Sequence, residues 1–204
     1  MRVLELFSGT GSVGKVCKEK DWEVISLDLK KADINCNILD WDYTIYPSGH
    51  FDIIWASPPC DTFSNLRRSW IGRKLKAFGD IIVTAEMLDN DMEENGLPIL
   101  NRTIEIIDYF NPKFYFIENP KSGKMKNYID LPFYDVDYCR YGFEYKKPTR
   151  IWTNIQEFNN LTCNHKIHTH NIGVGNKVQK DVCDKKIKYR IPTQLINDLF
   201  ESII

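Results

Sequence analysis

The chain has 204 residues, 27% of them charged and 43% hydrophobic, and a formal net charge of -1 at pH 7. This length suits a single domain, and this composition excludes a disordered or fibrous protein. The near-neutral charge excludes a uniformly basic nucleic-acid binder, although it allows a local basic surface.

Short apolar runs alternate with helical periodicity, which predicts an α/β fold with a mostly parallel sheet and helices on both faces. Strands are predicted over residues 2–7, 23–27, 51–56 and 113–117, with 51–56 central, and residues 134–138 and 150–152 are predicted to form an antiparallel pair. Helices are predicted over residues 11–19, 97–110 and 192–204. We interpret residues 61–96 as a mobile loop followed by a helix, and the polar residues 156–189 as a small insertion.

A glycine-rich turn follows the first predicted strand. Gly9, Gly11 and Gly14 form a G-x-G-x-x-G pattern between that strand and a helix. Such glycines let the backbone bend sharply and lie against a ligand, and free N–H groups at the start of the helix favour negative groups. Asp28 ends the next strand, where folds of this kind place a carboxylate against ribose hydroxyls. This pattern fits a dinucleotide and S-adenosylmethionine equally well.

A proline turn that ends in a cysteine follows the central strand, as Ser57, Pro58, Pro59 and Cys60. Prolines restrict the backbone, so the turn presents the cysteine rigidly at the carboxyl edge of the sheet. Amino-group methyltransferases resemble this turn but carry an aromatic residue in the fourth place. A thiol suits cytosine carbon 5, because that carbon accepts a methyl group only after a nucleophile has added at carbon 6.

The third motif, Glu118, Asn119 and Pro120, closes another predicted buried strand. A partly desolvated carboxyl group that holds a proton near neutral pH can donate it to ring N3 and make a pyrimidine electrophilic. Taken alone, Glu118 could equally be a solvated acid at a strand end. Its position after the other two motifs favours the chemical interpretation.

Together and in this order, LELFSGTGSVG, SPPCDTFS and FIENP resemble the motifs of the DNA cytosine-5 methyltransferases, in outline from residue 3 to residue 189. The resemblance implies a Rossmann-like S-adenosylmethionine-dependent methyltransferase fold and covalent attack on a cytosine flipped out of double-stranded DNA. It implies that Cys60 is the nucleophile and Glu118 the proton donor. It also implies that Asn119 orients the loop and the base, and that Arg150 holds the cytosine O2 and the active-site carboxylate. The expected cofactor contacts are Phe7, Ser8, Gly9, Thr10, Gly11, Asp28, Asn37, Asp40 and Pro58.

Three positions depart from the family's pattern. Asp61 follows the nucleophile where the family has Gln, and Pro148 stands where the first of two paired arginines is expected. Asn37 replaces the acid expected near the adenine ring; its side-chain oxygen can still accept from the adenine amino group, and Asp40 is the alternative. We expect activity because the nucleophile, the proton donor and the glycine turn are intact. Cationic surroundings, including the sulfonium, Arg150 and helix starts, are expected to lower the pKa of the nucleophilic thiol.

The family usually carries a larger recognition domain, so the small insertion predicts short or relaxed sequence selectivity. The predicted organisation is a catalytic and cofactor-binding core over residues 1–155, a recognition lobe over 156–189, and a C-terminal helix over 190–204 that packs back on the core. The expected nucleic-acid contacts are Ser64, Arg67, Arg68, Arg73 and Lys147, with Lys74 and Lys76 from the same loop and Lys177, Lys180, Lys185, Lys186 and Lys188 from the lobe.

No metal is expected, although a zinc site remains the alternative for Cys163, His165, His168, His170 and Cys183, whose spacing fits no standard finger. A tRNA substrate, a non-catalytic DNA-binding module and a nicotinamide dehydrogenase are the rival functions.

We expect a monomer, with an accessory protein left open. No signal peptide and no stretch of about 20 apolar residues is present, so we expect a cytoplasmic protein without a membrane partner. Richness in Ile, Asn and Lys suits an AT-rich bacterial, phage or large-virus genome. The target sequence stays open, as do restriction-modification, self-protection and regulation as its biological role.

Overall fold

The computed structural model describes residues 1–164 and 189–204. Its strands are β1 (Arg2–Leu6), β2 (Glu23–Asp28), β3 (Ile34–Asn35), β4 (Ile53–Ala56), β5 (Lys74–Leu75), β6 (Ile81–Ile82), β7 (Phe114–Pro120), β8 (Phe133–Asp137) and β9 (Pro148–Thr153). Its α-helices are α1 (Ser12–Glu19), α2 (Ala85–Asp91), α3 (Leu97–Phe110) and α4 (Thr193–Glu201). Within these two ranges, no helix has both the length and the apolar character needed to cross a membrane.

Seven strands form one sheet in the order β3-β2-β1-β4-β7-β9-β8. The neighbours from β3 to β7 are parallel, and β9 runs antiparallel to both β7 and β8. The predicted α/β architecture with a mostly parallel sheet is therefore confirmed. The strand predicted to be central is β4, and the predicted antiparallel pair is β8 with β9.

The two faces of the sheet carry separate apolar layers, because successive side chains of a strand point to opposite sides. Leu4, Leu6 and Ile54 pack with the buried face of α3 in one layer. Val3, Ile53 and Trp55 pack with α1 and α4 in the other. Both faces are covered by helices, which explains why β4 is apolar at every position.

The segment between β4 and α3 has more regular structure than a loop and one helix. It contains a 3-10 helix (Asn65–Trp70), the β5–β6 hairpin and α2, which continues through a π-helical turn (Met92–Gly96) into α3. Gly96 lies against Thr62 and Phe63 so closely that a Cβ there would collide with Thr62. The residues just after the proline turn are therefore packed against the π-helical turn that leads into α3.

Candidate active site

Four parallel strands end at the same edge of the sheet. Leu6 at the end of β1 lies beside Leu27 on β2 and Ala56 on β4, and Ala56 lies beside Ile117 on β7. The glycine turn, Asp28, the proline turn and Glu118 follow directly after these positions. The structure thus brings the three motifs together at the carboxyl edge, where ligands bind in open α/β sheets.

The glycine turn is built from left-handed backbone. Phe7, Gly9 and Gly11 have φ angles of 59°, 50° and 65°. Positive φ is unusual for a bulky residue such as Phe7, and such backbone is concentrated at functional sites. Asp28 Oδ2 accepts from the Gly9 N–H at 2.9 Å, which fixes the turn against β2. No atom lies within 4 Å of a Cβ built at Gly11, so this side of the turn is open to a ligand.

Glu5, a buried residue of β1, binds backbone N–H groups at the start of α1. Its carboxylate accepts from the Val13 N–H at 3.2 Å and from the Gly14 N–H at 3.0 Å. The expectation that the N–H groups of this helix start are free for a ligand is therefore wrong for these two groups. A Cβ at Gly14 would lie 2.8 Å from Glu5 Oε2, so the contact also explains the third glycine of the pattern. Burial raises the pKa of Glu5 to about 7.

The sequence signal for Glu5 was an acidic residue inside an otherwise apolar strand. Only its partners, which follow it by eight and nine residues, reveal its role. The Glu5 carboxylate stabilises the glycine turn and the start of α1, because it accepts from backbone N–H groups that would otherwise have no partner at the start of a helix.

The two candidates for the adenine contact differ in whether their side-chain oxygens already accept hydrogen bonds. Asn37 and Asp40 are both exposed beyond β3. The side-chain oxygen of Asn37 accepts from the Leu39 N–H at 3.1 Å, so part of its accepting capacity is already used. Among the described residues, nothing donates a hydrogen bond to the Asp40 carboxylate. The geometry favours Asp40 as the acceptor.

Asn119 ties the proline turn to β7. Its side-chain amide donates to the Pro58 carbonyl at 2.8 Å, and both residues are buried. Ser57 at the start of the turn donates its N–H to the Leu6 carbonyl at 3.3 Å. The Cys60 thiol is therefore presented by a turn that is bonded to the strands on both sides of β4.

Cys60 is partly buried, and its surroundings favour the neutral thiol. Burial raises its pKa to about 11, with further upward contributions from Asp61 and Glu118, whereas Lys147 lowers it. The expected lowering of this pKa is wrong for the protein alone. Lys147 is the cation whose charge opposes the shift, and Arg150 is not among its causes.

Glu118 lies near the end of β7, beside the strand that precedes the proline turn, with only 6% of its surface exposed. The Tyr138 hydroxyl donates to Glu118 Oε1 at 2.8 Å, and Lys147 Nζ lies 3.6 Å from the same oxygen. Neither contact was predicted: Lys147 was expected to meet DNA, and Tyr138 was expected only as the end of a strand. The site combines a thiol, a carboxyl group, an ammonium and a phenol at one end of β7.

Arg150 does not reach Glu118, in contrast to its expected role. Its guanidinium forms two hydrogen bonds to the Asp135 carboxylate, at 2.8 and 3.0 Å. Arg150 lies opposite Asn119 in the sheet register, whereas Glu118 lies opposite Ile151. Because alternate residues of a strand face opposite sides, Arg150 points away from the face that carries Glu118. Lys147, just before β9, supplies the positive charge instead.

Arg67 also differs from its expected role as a phosphate contact. It is 7% exposed, forms an ion pair with Asp91 of α2, and lies over the rings of Trp70 and Phe78. A guanidinium engaged in this way holds the segment together and is not available on the surface. Ser64 caps the 3-10 helix by accepting from the Leu66 N–H at 3.3 Å. The other basic residues of the segment are exposed: Arg68, Arg73, Lys74 and Lys76.

The expected lobe lies mostly outside the described residues. This applies to His165, His168, His170 and Cys183 and to the lysines 177, 180, 185, 186 and 188. Cys163 is described and buried, and its N–H donates to Asp137 Oδ2 at 2.7 Å. Over residues 1–164 and 189–204, no cluster of three or more histidine, cysteine or acidic side chains could hold a metal ion.

Comparison with known proteins gives one full-length relative. The chain is 40% identical over 221 residues to a probable DNA (cytosine-5)-methyltransferase of Frog virus 3 (isolate Goorha), an alignment that spans 98% of this chain and 99% of the relative. Solved structures that resemble this one include a methyltransferase of Entamoeba histolytica, EhMeth, at 16% identity and a TM-score of 0.49, which covers 82% of this chain and 57% of that one.

Another is a mutant of Spodoptera frugiperda DNMT2 at 21% identity and a TM-score of 0.48, which covers 84% of this chain and 54% of that one. The chain thus spans little more than half of either solved protein. No family model matches the chain.

Proposed function

The chain belongs to the DNA (cytosine-5)-methyltransferase family, and we propose that it transfers a methyl group from S-adenosylmethionine to carbon 5 of cytosine in double-stranded DNA. One observation carries the proposal. Cys60 comes shortly after β4, Glu118 lies near the end of the adjacent parallel strand β7, and the two are close enough for the charge of Glu118 to raise the pKa of the thiol. Methylation of cytosine carbon 5 requires a nucleophile that adds to the ring and a proton donor that acts on the same ring.

The residues present fit S-adenosylmethionine. The left-handed glycine turn is open beside Gly11, and Asp28 holds the turn while its carboxylate keeps accepting capacity for hydroxyl groups. When bound, S-adenosylmethionine supplies the methyl group on a positively charged sulfur. We assign its binding to the turn from Phe7 to Gly11, to Asp28 and Pro58, and to Asp40 in preference to Asn37 for the adenine.

In the proposed reaction, Cys60 loses its proton to solvent, and the thiolate donates an electron pair to carbon 6 of a flipped-out cytosine. The C5–C6 double bond opens, and N3 of the ring accepts a proton from Glu118. Carbon 5 can then accept the methyl group. Water removes the carbon 5 proton, the electron pair of that C–H bond re-forms the C5–C6 double bond, the C6–S bond breaks with its electron pair returning to sulfur, and N3 returns its proton to the Glu118 carboxylate. Base flipping is needed because carbon 6 is stacked inside an intact duplex.

Lys147 takes the role that the family resemblance assigned to Arg150. Its ammonium contacts Glu118 and lowers the pKa of Cys60. A positive charge here stabilises both the thiolate that attacks carbon 6 and the carboxylate left after proton transfer. It can also hold the cytosine O2, since an ammonium has three donors. Asn119 keeps the proline turn in place through its bond to Pro58.

The exposed basic residues of the segment between β4 and α3 support the proposed contact with DNA. Arg68, Arg73, Lys74 and Lys76 are exposed there, Ser64 is half-buried beside them, and phosphate contacts of this kind need no base specificity. Arg67 holds the segment in place through Asp91. We further propose that the protein acts as a monomer in the cytoplasm of a host cell; the predicted recognition lobe stays a prediction.

The test is transfer of labelled methyl from S-adenosylmethionine to unmethylated duplex DNA and to tRNA, with the Cys60→Ser variant in parallel. Label in DNA cytosine that disappears in the variant, located by bisulfite sequencing, is the expected result. Label in tRNA alone would support the proposed methyl transfer and show that the substrate is tRNA instead of DNA. No transfer to either, with S-adenosylmethionine bound, would contradict the proposal.

A further inference from the structure

We infer that Tyr138 is a positioning residue that directs the reactive proton of Glu118 to one carboxyl oxygen, Oε2. The inference rests on the proposed function, in which Glu118 protonates ring N3. It adds a residue outside the three motifs and identifies the atom from which the proton leaves.

Tyr138 reaches Glu118 from a neighbouring element. It begins the 3-10 helix Tyr138–Tyr141, directly after β8, and none of its surface is exposed. Its N–H donates to the Lys147 carbonyl at 3.3 Å, and the Lys147 ammonium lies 4.6 Å from the centre of its ring. Backbone and ring contacts therefore hold the phenol at a defined place beside the carboxyl group.

The Tyr138 hydroxyl donates a hydrogen bond to Glu118. Burial raises the pKa of Tyr138 well above its ordinary value, and the charge and hydrogen bond of Glu118 raise it further, whereas a hydrogen bond from Thr149 lowers it. A phenol in this setting keeps its proton at neutral pH. Glu118 Oε1 accepts from it at 2.8 Å.

The donor on one oxygen decides which oxygen carries the acid proton. Tyr138 and Lys147 both contact Oε1, and no residue in the described part of the chain donates to Oε2. A proton on Oε1 would face a hydroxyl hydrogen and an ammonium, so it resides on Oε2. Transfer from Oε2 to N3 leaves a carboxylate whose charge Tyr138 and Lys147 stabilise at Oε1.

Tyr141 provides a matched control. It is a second buried tyrosine of the same 3-10 helix, 2% exposed, and its hydroxyl accepts from the Leu161 N–H at 2.9 Å instead of contacting Glu118. Tyr138→Phe and Tyr141→Phe each remove one buried hydroxyl from this helix. A purely structural role predicts similar consequences for the two variants.

The experiment compares kcat, KM for duplex DNA and the Kd for S-adenosylmethionine in both variants. We expect Tyr138→Phe to lower kcat roughly 10- to 100-fold, the range for a hydrogen bond to a charged group, with KM and Kd close to wild-type values. Tyr141→Phe should keep the wild-type kcat. A Tyr138→Phe enzyme with wild-type kcat, or equal losses in the two variants, would overturn the inference.

Infrared difference spectroscopy tests the same point without turnover and in the wild-type fold. Subtracting the Glu118→Gln spectrum isolates the C=O stretch of Glu118 in its protonated form. If Oε1 is the carbonyl oxygen, its hydrogen bonds from Tyr138 and Lys147 shift the band to lower frequency. A band at the frequency of a carbonyl without hydrogen bonds would contradict the inference. A shifted band in a protein that methylates neither DNA nor tRNA would uphold the positioning and reject only the proposed function.

Discussion

Replacing Lys147 by methionine removes an ammonium from the active site while keeping an unbranched side chain. The ammonium lies 3.6 Å from Glu118 Oε1, and the two side chains are 17% and 8% exposed. At this distance and an effective dielectric constant of about 20, the attraction between the ammonium and the Glu118 carboxylate that proton transfer leaves is about 4 to 5 kcal/mol. The cost of desolvating the lysine offsets part of this energy.

In the proposed reaction, the loss should appear mainly in the steps that form the Cys60 thiolate and the Glu118 carboxylate. We expect about 2 to 3 kcal/mol of lost stabilisation there, which corresponds to a decrease in kcat/KM of roughly 30- to 150-fold. Methyl transfer to duplex DNA measures this directly.

Alkylation measures the effect on the thiol separately. Lys147 lowers the pKa of Cys60, so its removal should move this pKa above its present value of about 11. Less thiolate then forms at a given pH, and iodoacetamide should modify Cys60 more slowly, as followed by mass spectrometry of its peptide.

Lys146→Met is the control for this substitution. Lys146 donates to the Cys163 carbonyl at 2.8 Å and lies 3.8 Å from Asp137, so it makes comparable contacts away from Glu118. Its replacement should leave the alkylation rate of Cys60 unchanged. Equal rates of alkylation in wild-type and Lys147→Met protein, or equal slowing in both variants, would refute the electrostatic role of Lys147.

Three further outcomes are expected. Glu118→Gln should weaken catalysis strongly with near-normal S-adenosylmethionine affinity by calorimetry; a loss of affinity would show that its role is misassigned. Arg68→Met should reduce the salt dependence of DNA binding by about one phosphate contact, whereas Arg67→Met should leave the slope unchanged and lower Tm, because Arg67 pairs with Asp91. The pKa of Glu5 is raised from 4.5 to about 7, so the folded state holds the extra proton and stability should fall by about 3 kcal/mol as pH rises through this interval. Glu5→Gln should flatten that slope in thermal unfolding, and an unchanged slope would assign it to another group.

The local motifs determined the position of the reacting groups. A glycine turn, a proline turn and a carboxyl group each follow an apolar run, and parallel strands bring their carboxyl ends to one edge. Sequence was therefore sufficient for the α/β fold and for the placement of Cys60 and Glu118 beside each other. The strand ends were predicted less well, since β4 begins at Ile53 and the last helix ends at Glu201. These boundaries depend on hydrogen bonds that sequence patterns do not show.

Tertiary structure alone decided which charged side chains face the reacting groups. Lys147 and Arg150 belong to the same short basic stretch, but the sheet register turns Arg150 to Asp135 and leaves Lys147 beside Glu118. Arg67 and Arg68 are adjacent, and only one of them meets Asp91. A strand or helix turns neighbouring residues in different directions, and partners distant in sequence decide which direction is buried. Residue type and spacing therefore predicted the proposed chemistry of this protein, and packing determined which charges lie beside the residues proposed to perform it.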